Sequence, residues 1–209
     1  DGPSQMALED LSMMRSVPGC AVLYPCDGVS AERLVASAAA YEGMVYIRTS
    51  RPKTDVIYAN EEQFGIGGSK VLHESVDDVA TVVAAGITVF EAREAYQRLL
   101  REDIHIRVID AYSIQPIDTP TLVLAGLQTG LKIITVEDHY PTGGLGDAVS
   151  EAVADHEITV SRLAVREVPR SGKSEELLER YGISASHIVE AVRRQTDSGQ
   201  GTAKSVTGP

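Results

Sequence analysis

Between Val79 and Val165 the sequence alternates extended and helical patterns with connections of only a few residues, an order that few folds satisfy. It predicts strands over Val79–Ala84, Ile104–Ile109, Leu131–Val136 and Ile158–Val165, with helices Val89–Arg101, Thr119–Leu127 and Leu145–Asp155 between them. A strand, a helix and a second strand joined this closely make a right-handed parallel crossover. The series therefore predicts a three-layer, mainly parallel α/β sheet domain with helices on both faces. Asp118 is placed to cap the second helix, and Ser174 with Glu175 and Glu176 marks a later helix start. Gly182 would end that helix, and Ile183–Arg194 supplies one more.

Upstream the pattern is shorter. It predicts a helix over Ser4–Arg15, a strand over Ala21–Tyr24, a helix capped by Ser30 and reaching Tyr41, and a strand over Met44–Arg48. This is one parallel α/β crossover unit, a sheet small enough to leave an edge unpaired. Ser50 to Gly68, with Pro52 and three glycines, reads as a linker. From Gln195 to Pro209 there is almost nothing to bury, which predicts a frayed or disordered tail.

Charge removes several function classes. A formal net charge of -11 repels nucleic acid and anionic membrane surfaces. The longest nearly apolar run, Val79–Phe90, lies between Asp78 and Glu91, well short of the ~20 residues that a bilayer span requires. No secretory signal is visible, and the Asp1-Gly2-Pro3 opening, without an initiator Met, predicts that sequence upstream was removed or left out. The two cysteines, Cys20 and Cys26, flank a strand that holds them ~20 Å apart, beyond the ~7 Å limit for a disulfide. Reduced, cytoplasmic thiols acting as small buried hydrophobes are expected.

Three local patterns could carry chemistry. Thr142-Gly143-Gly144-Leu145-Gly146 is a glycine-rich turn opening a helix, but it lacks dinucleotide or Walker spacing. It reads as a turn that lets helix and sheet approach closely. In Glu137-Asp138-His139, alternation sends Glu137 and His139 to one side and Asp138 to the other. The other histidines form no ligand spacing with this cluster, so it reads as a surface or interface hydrogen-bonding group. Arg48-Thr49-Ser50-Arg51-Pro52-Lys53 leaves a strand at its carboxyl end, where guanidinium groups can take a phosphate, and by composition it reads equally as a solvated charge run. On composition alone, a dinucleotide-binding oxidoreductase also stays open.

The combination is more specific. Asp1-Gly2-Pro3-Ser4-Gln5, Leu8-Glu9-Asp10-Leu11, Arg15-Ser16-Val17-Pro18, Tyr24-Pro25-x-Asp27, Ile47-Arg48-Thr49-Ser50-Arg51-Pro52, Val136-Glu137-Asp138-His139 and Val168-Pro169-Arg170-Ser171-Gly172-Lys173 occur in one order. In that order and spacing they resemble the transketolase family, from residue 1 to about Arg193. Gln5, where many bacterial and yeast members carry His, is similar to the animal-type branch. The resemblance implies that residues 1–55 are the end of a pyrimidine-binding domain, 56–66 a linker, 67–193 the family's C-terminal domain, and 194–209 a disordered tail. It implies a piece of an enzyme that transfers a two-carbon ketol group between sugar phosphates in the pentose phosphate pathway, using thiamine diphosphate and Mg2+.

By the same resemblance Arg51 would grip the substrate phosphate, Asp1 would accept a hydrogen bond from a sugar hydroxyl, and Gln5 would lie near the thiamine or the substrate oxygens. Gln5 cannot titrate. Arg48 would be structural. The Gly-Asp-Gly metal and diphosphate motif occurs nowhere in the chain, and the activating glutamate would lie upstream. The chain alone is therefore expected to bind neither thiamine diphosphate nor Mg2+ and to be inactive, with a homodimeric, cytoplasmic parent. Two other readings stand beside it: a non-catalytic assembly module, and the C-terminal subunit of a split transketolase.

Overall fold

A computed structural model describes residues 8–51 and 53–200. The first unit contains α1 (Asp10–Arg15), β1 (Ala21–Leu23), α2 (Gly28–Ala39) and β2 (Val45–Ile47). After the linker come β3 (Lys70–His73), β4 (Thr81–Ala84), α3 (Thr88–Leu100), β5 (Arg107–Asp110), β6 (Ser113–Gln115) and α4 (Thr119–Gln128). The chain finishes with β7 (Lys132–Glu137), α5 (Leu145–Ala152), β8 (Thr159–Ala164), α6 (Ser174–Arg180) and α7 (Ala185–Gln200). The expected α/β class and the mainly parallel sheet are present. Among the described residues, no helix is long and apolar enough to cross a membrane.

The larger sheet has strand order β3-β5-β4-β7-β8, parallel except for β3 at its edge. Its central strand β4 is buried on both faces, which is why Val79–Ala84 reads as a nearly continuous apolar run rather than an alternating one. Val82, Ala84, Val108, Ile134 and Val136 pack to one side with residues of α3 and α7. Val83, Ile109 and Ile133 pack to the other with residues of α4 and α5, where Leu11 of α1 and Val22 of β1 join them.

Two strands escaped the sequence pattern. β3 pairs antiparallel with β5 as an irregular edge, and its four residues show no apolar alternation. β6 pairs antiparallel with β1, giving a second sheet of order β2-β1-β6. One edge of the small first sheet is thus covered by a strand from the later part of the chain. The Gln115 side-chain amide donates to the Cys20 carbonyl at 2.9 Å and the Tyr24 amide to the Tyr112 carbonyl at 2.8 Å, fixing that seam.

Two expectations about ends need correction. Asp27, not Ser30, is the N-cap of α2: its carboxylate accepts from the Ser30 amide at 2.7 Å, and the Ser30 hydroxyl accepts from the Asp27 amide at 3.0 Å. Nor does order stop at Arg194, because α7 continues to Gln200. Lys132 donates its ammonium to the Gln195 carbonyl at 2.6 Å, and the Gln195 amide donates to Ser161 Oγ at 3.0 Å, so polar anchors replace the burial that the sequence lacks. The rest of the expected tail, 201–209, lies outside the described residues.

Asp27 also holds the linker. Its second oxygen accepts from the amides of Ile57 at 2.8 Å and Tyr58 at 3.2 Å. Asp27→Ala is expected to cost about 2 kcal/mol, from a lost cap and partly buried amides left without acceptors. Urea denaturation should show a lower midpoint; an unchanged midpoint would mean that the linker is held elsewhere.

Candidate functional site

A cleft of about 690 Å³ opens where the carboxyl ends of the two sheets face each other. This is the edge at which open α/β sheets gather ligands. Tyr24 follows β1, Arg48 to Arg51 follow β2, Asp138 follows β7 and Val165 follows β8, and all line it. Leu177, Leu178, Tyr181 and Ile183 add an apolar wall from the chain's last third.

The polar wall is organised by Arg48, which is 7% exposed. Its amide donates to the Leu23 carbonyl at 2.9 Å, so the parallel ladder runs one step past β2 and fixes the residue. Nε lies 3.5 Å from Asp10 Oδ2, and Nη2 lies 3.3 Å from Asp138 Oδ2 and donates to the Asp138 carbonyl at 2.9 Å. The guanidinium sits 4.7 Å from the centre of the Tyr24 ring. Tyr24 OH donates to Asp138 Oδ2 at 2.9 Å and Tyr46 OH to Asp10 Oδ2 at 2.7 Å.

Burial opposes the Arg48 charge, yet Asp138, Tyr24 and Asp10 together hold it more firmly protonated than an ordinary arginine. Burial pushes the Asp138 carboxyl up against the pull of Arg48, and burial with the neighbouring Asp10 raises Tyr46 to about 12. Arg48 Nη1 and Asp10 Oδ1 are buried without hydrogen-bond partners. The resemblance implies a structural Arg48, but nothing in the sequence singles out Asp10 or the tyrosines as its partners. The one available hint was alternation, which puts Tyr46 and Arg48 on the same side of β2.

Of the other expected site residues, Arg51 is exposed and lines the cleft. Asp1 and Gln5 lie outside the described residues. The Glu137-Asp138-His139 cluster splits as alternation requires, but it is interior rather than superficial. Glu137 is 2% exposed and accepts from the amides of Leu145 at 2.6 Å and Gly146 at 3.0 Å; burial raises its carboxyl to about 8. The start of α5 therefore receives a carboxylate from the protein itself. A Cβ on Gly144 would meet Glu137 Oε2 at 2.1 Å, so the glycine turn exists for close approach. His139 is fully buried, and burial lowers its pKa. Among the described residues, no three His, Cys, Asp or Glu side chains converge as a metal site.

A second buried group sits under the linker. Asp110, at the end of β5, accepts from Tyr58 OH at 2.7 Å and from Cys26 Sγ at 3.3 Å. Burial raises the Asp110 carboxyl to about 7, and burial with Asp110 alongside pushes the Cys26 thiol far up. Both cysteines are buried and unpaired, in keeping with the inert thiols expected.

Comparison with known proteins places this arrangement. Residues 67–188 match the family model for the transketolase C-terminal domain, and residues 1–56 match that for the transketolase pyrimidine binding domain. The chain is 55% identical to transketolase-like protein 1 of Macaca fascicularis over 92% of its own length and 33% of the relative's. It is 51% identical to Homo sapiens transketolase over 92% of its length and 31% of the relative's. It thus spans about a third of the curated relatives it matches. Among solved structures, a split-gene transketolase, described as an inactive β4 tetramer, superposes with a TM-score of 0.85 at 38% identity, over 92% of this chain and 62% of that one. Campylobacter jejuni transketolase shares the fold, with a TM-score of 0.73 at 21% identity over 93% of this chain and 29% of that one.

Proposed function

The chain belongs to the transketolase family, and from that premise we propose that it forms the sugar-phosphate side of a ketol-transfer site. What carries the reading is the Arg-Thr-Ser-Arg segment leaving β2 at the mouth of the cleft. Arg51 donates to the substrate phosphate, for which a planar fork of donors suits better than a lysine. Asp1 accepts from a sugar hydroxyl and Gln5 donates to or accepts from oxygens beside the reacting carbonyl, without moving a proton. The substrates are a ketose phosphate donor and an aldose phosphate acceptor, in the cytoplasm and within a homodimeric or larger assembly.

Thiamine diphosphate supplies the electron sink that such a transfer needs. The described residues do not fit its diphosphate and Mg2+ end. They offer no converging carboxylates, and the glycine-turn amides of Leu145 and Gly146 already bond to Glu137. That end belongs to other polypeptide, and the match to a split-gene transketolase favours a separate chain as one source.

The test mixes the chain with a separately made N-terminal portion of a relative that carries both the diphosphate-binding lobe and the activating glutamate, adding thiamine diphosphate, Mg2+, xylulose 5-phosphate and ribose 5-phosphate. The chain alone should give no turnover and the mixture should give turnover. In the mixture, Arg51→Ala should raise KM for ribose 5-phosphate roughly 100-fold, the loss of one charge-assisted contact of about 2–3 kcal/mol. An unphosphorylated acceptor such as glycolaldehyde, paired with an unphosphorylated ketol donor, should be scarcely affected. Equal losses on both acceptors, or no turnover in any mixture, would overturn the reading.

A further inference from the structure

In sequence Asp1 and Gln5 precede α1, and α1 is held by the chain's later part as well as by β1 and β2. The Tyr140 amide donates to the Leu8 carbonyl at 3.1 Å, and the Ser12 amide donates to His139 Nε2 at 3.4 Å. Arg15 Nη1 donates to the carbonyls of Gly143 at 2.6 Å and Gly144 at 3.2 Å. Between these contacts lies the Asp10–Arg48–Asp138 knot. Arg48 is also three residues before Arg51, and Ser50 Oγ lies 3.4 Å from Tyr24 OH in the same wall.

We infer that Arg48 is a positioning residue through which the 137–144 loop sets the location of both α1 and the strand exit carrying Arg51. The inference rests on the proposed sugar-phosphate site for what is being positioned. A buried cluster of one cation and two carboxylates is a poor way to stabilise a fold, since apolar residues of similar volume do as well or better. This one also leaves Arg48 Nη1 and Asp10 Oδ1 unsatisfied. What it supplies is direction: a rigid guanidinium spanning two carboxylates and a carbonyl fixes three chain segments relative to one another. A lysine carries the same charge but cannot span all three. The loop that follows β7 thereby acts on the substrate site through Arg48.

The experiment compares the full 209-residue chain with Arg48→Lys and Asp138→Asn, which keep the volume and most of the polarity. Amide hydrogen exchange should accelerate at least tenfold in residues 10–15 and 49–51 of both variants, while β4 and β7 keep their protection. In the mixture with a diphosphate-binding lobe, KM for ribose 5-phosphate should rise about tenfold with kcat within threefold of the unsubstituted chain. Unchanged exchange in residues 10–15, or acceleration spread evenly over the molecule, overturns the inference, as does a fall in kcat with KM unchanged. If the mixture gives no turnover even without substitution, the proposed function fails and the exchange pattern alone decides the positioning role.

Discussion

Gly86→Ala is expected to lower the melting temperature by roughly 10 °C or more, equivalent to ~3–4 kcal/mol in a chain of this size. Gly86 joins β4 to α3 with a φ of +56°, where any side chain is strained. Strain is the smaller part. A Cβ at this position would lie 2.0 Å from Tyr24 Cζ and 2.2 Å from Cε2, inside the ring itself. The ring cannot retreat easily: Tyr24 is 2% exposed, its hydroxyl is bonded to Asp138, and Arg48 covers its face. Gly130 supplies the control, because its φ is +67° but a Cβ there would meet nothing within 4 Å. Gly130→Ala should cost only about 1 kcal/mol. Calorimetry of the two variants separates crowding from backbone strain. Equal, small losses would mean that the Tyr24 ring gives way.

The second large effect depends on pH. Burial holds the Asp110 carboxyl near 7, against about 4 in an unfolded chain. Below about pH 4 both states carry the proton, so the group costs nothing extra. Between about pH 4 and 7 the folded chain keeps a proton that the unfolded chain has released. Stability therefore falls as pH rises through that window, by up to about 1.4 kcal/mol per unit, and the loss is complete above it. Asp110→Asn mimics the protonated form and cannot ionise. Its melting temperature relative to the unsubstituted chain should improve between pH 5 and pH 8 by roughly 5–10 °C. Glu137, with its carboxyl raised to about 8, contributes in the same direction but equally to both proteins, so it cancels in the difference. An offset that is the same at both pH values would show that Asp110 is already ionised in the fold.

The larger sheet was legible because its parallel strands carry apolar cores between periodic helices joined by short connections. β4, β5, β7 and β8 and their crossovers appear within a few residues of where pattern placed them. The strands that pattern missed, β3 and β6, are antiparallel additions three or four residues long, held by partners distant in sequence rather than by their own composition. α7 outran its apolar stripe because Lys132 and Ser161 anchor Gln195, contacts with no local signature. The same division holds at the site. Arg48 and Arg51 were visible as a cationic run at a strand end. The pairing of Arg48 with Asp10 and Asp138 joins residues 38 and 90 positions away, and no window of sequence contains it.

The small sheet has a consequence for how this molecule can be divided. Its middle strand is flanked by β2 on one side and by β6, from beyond the linker, on the other. A protease that nicked the exposed stretch 59–61 would sever the peptide and leave the body in one piece. The two products would copurify, and neither could be cloned out as an autonomous folding unit without exposing the ladder that the other completes.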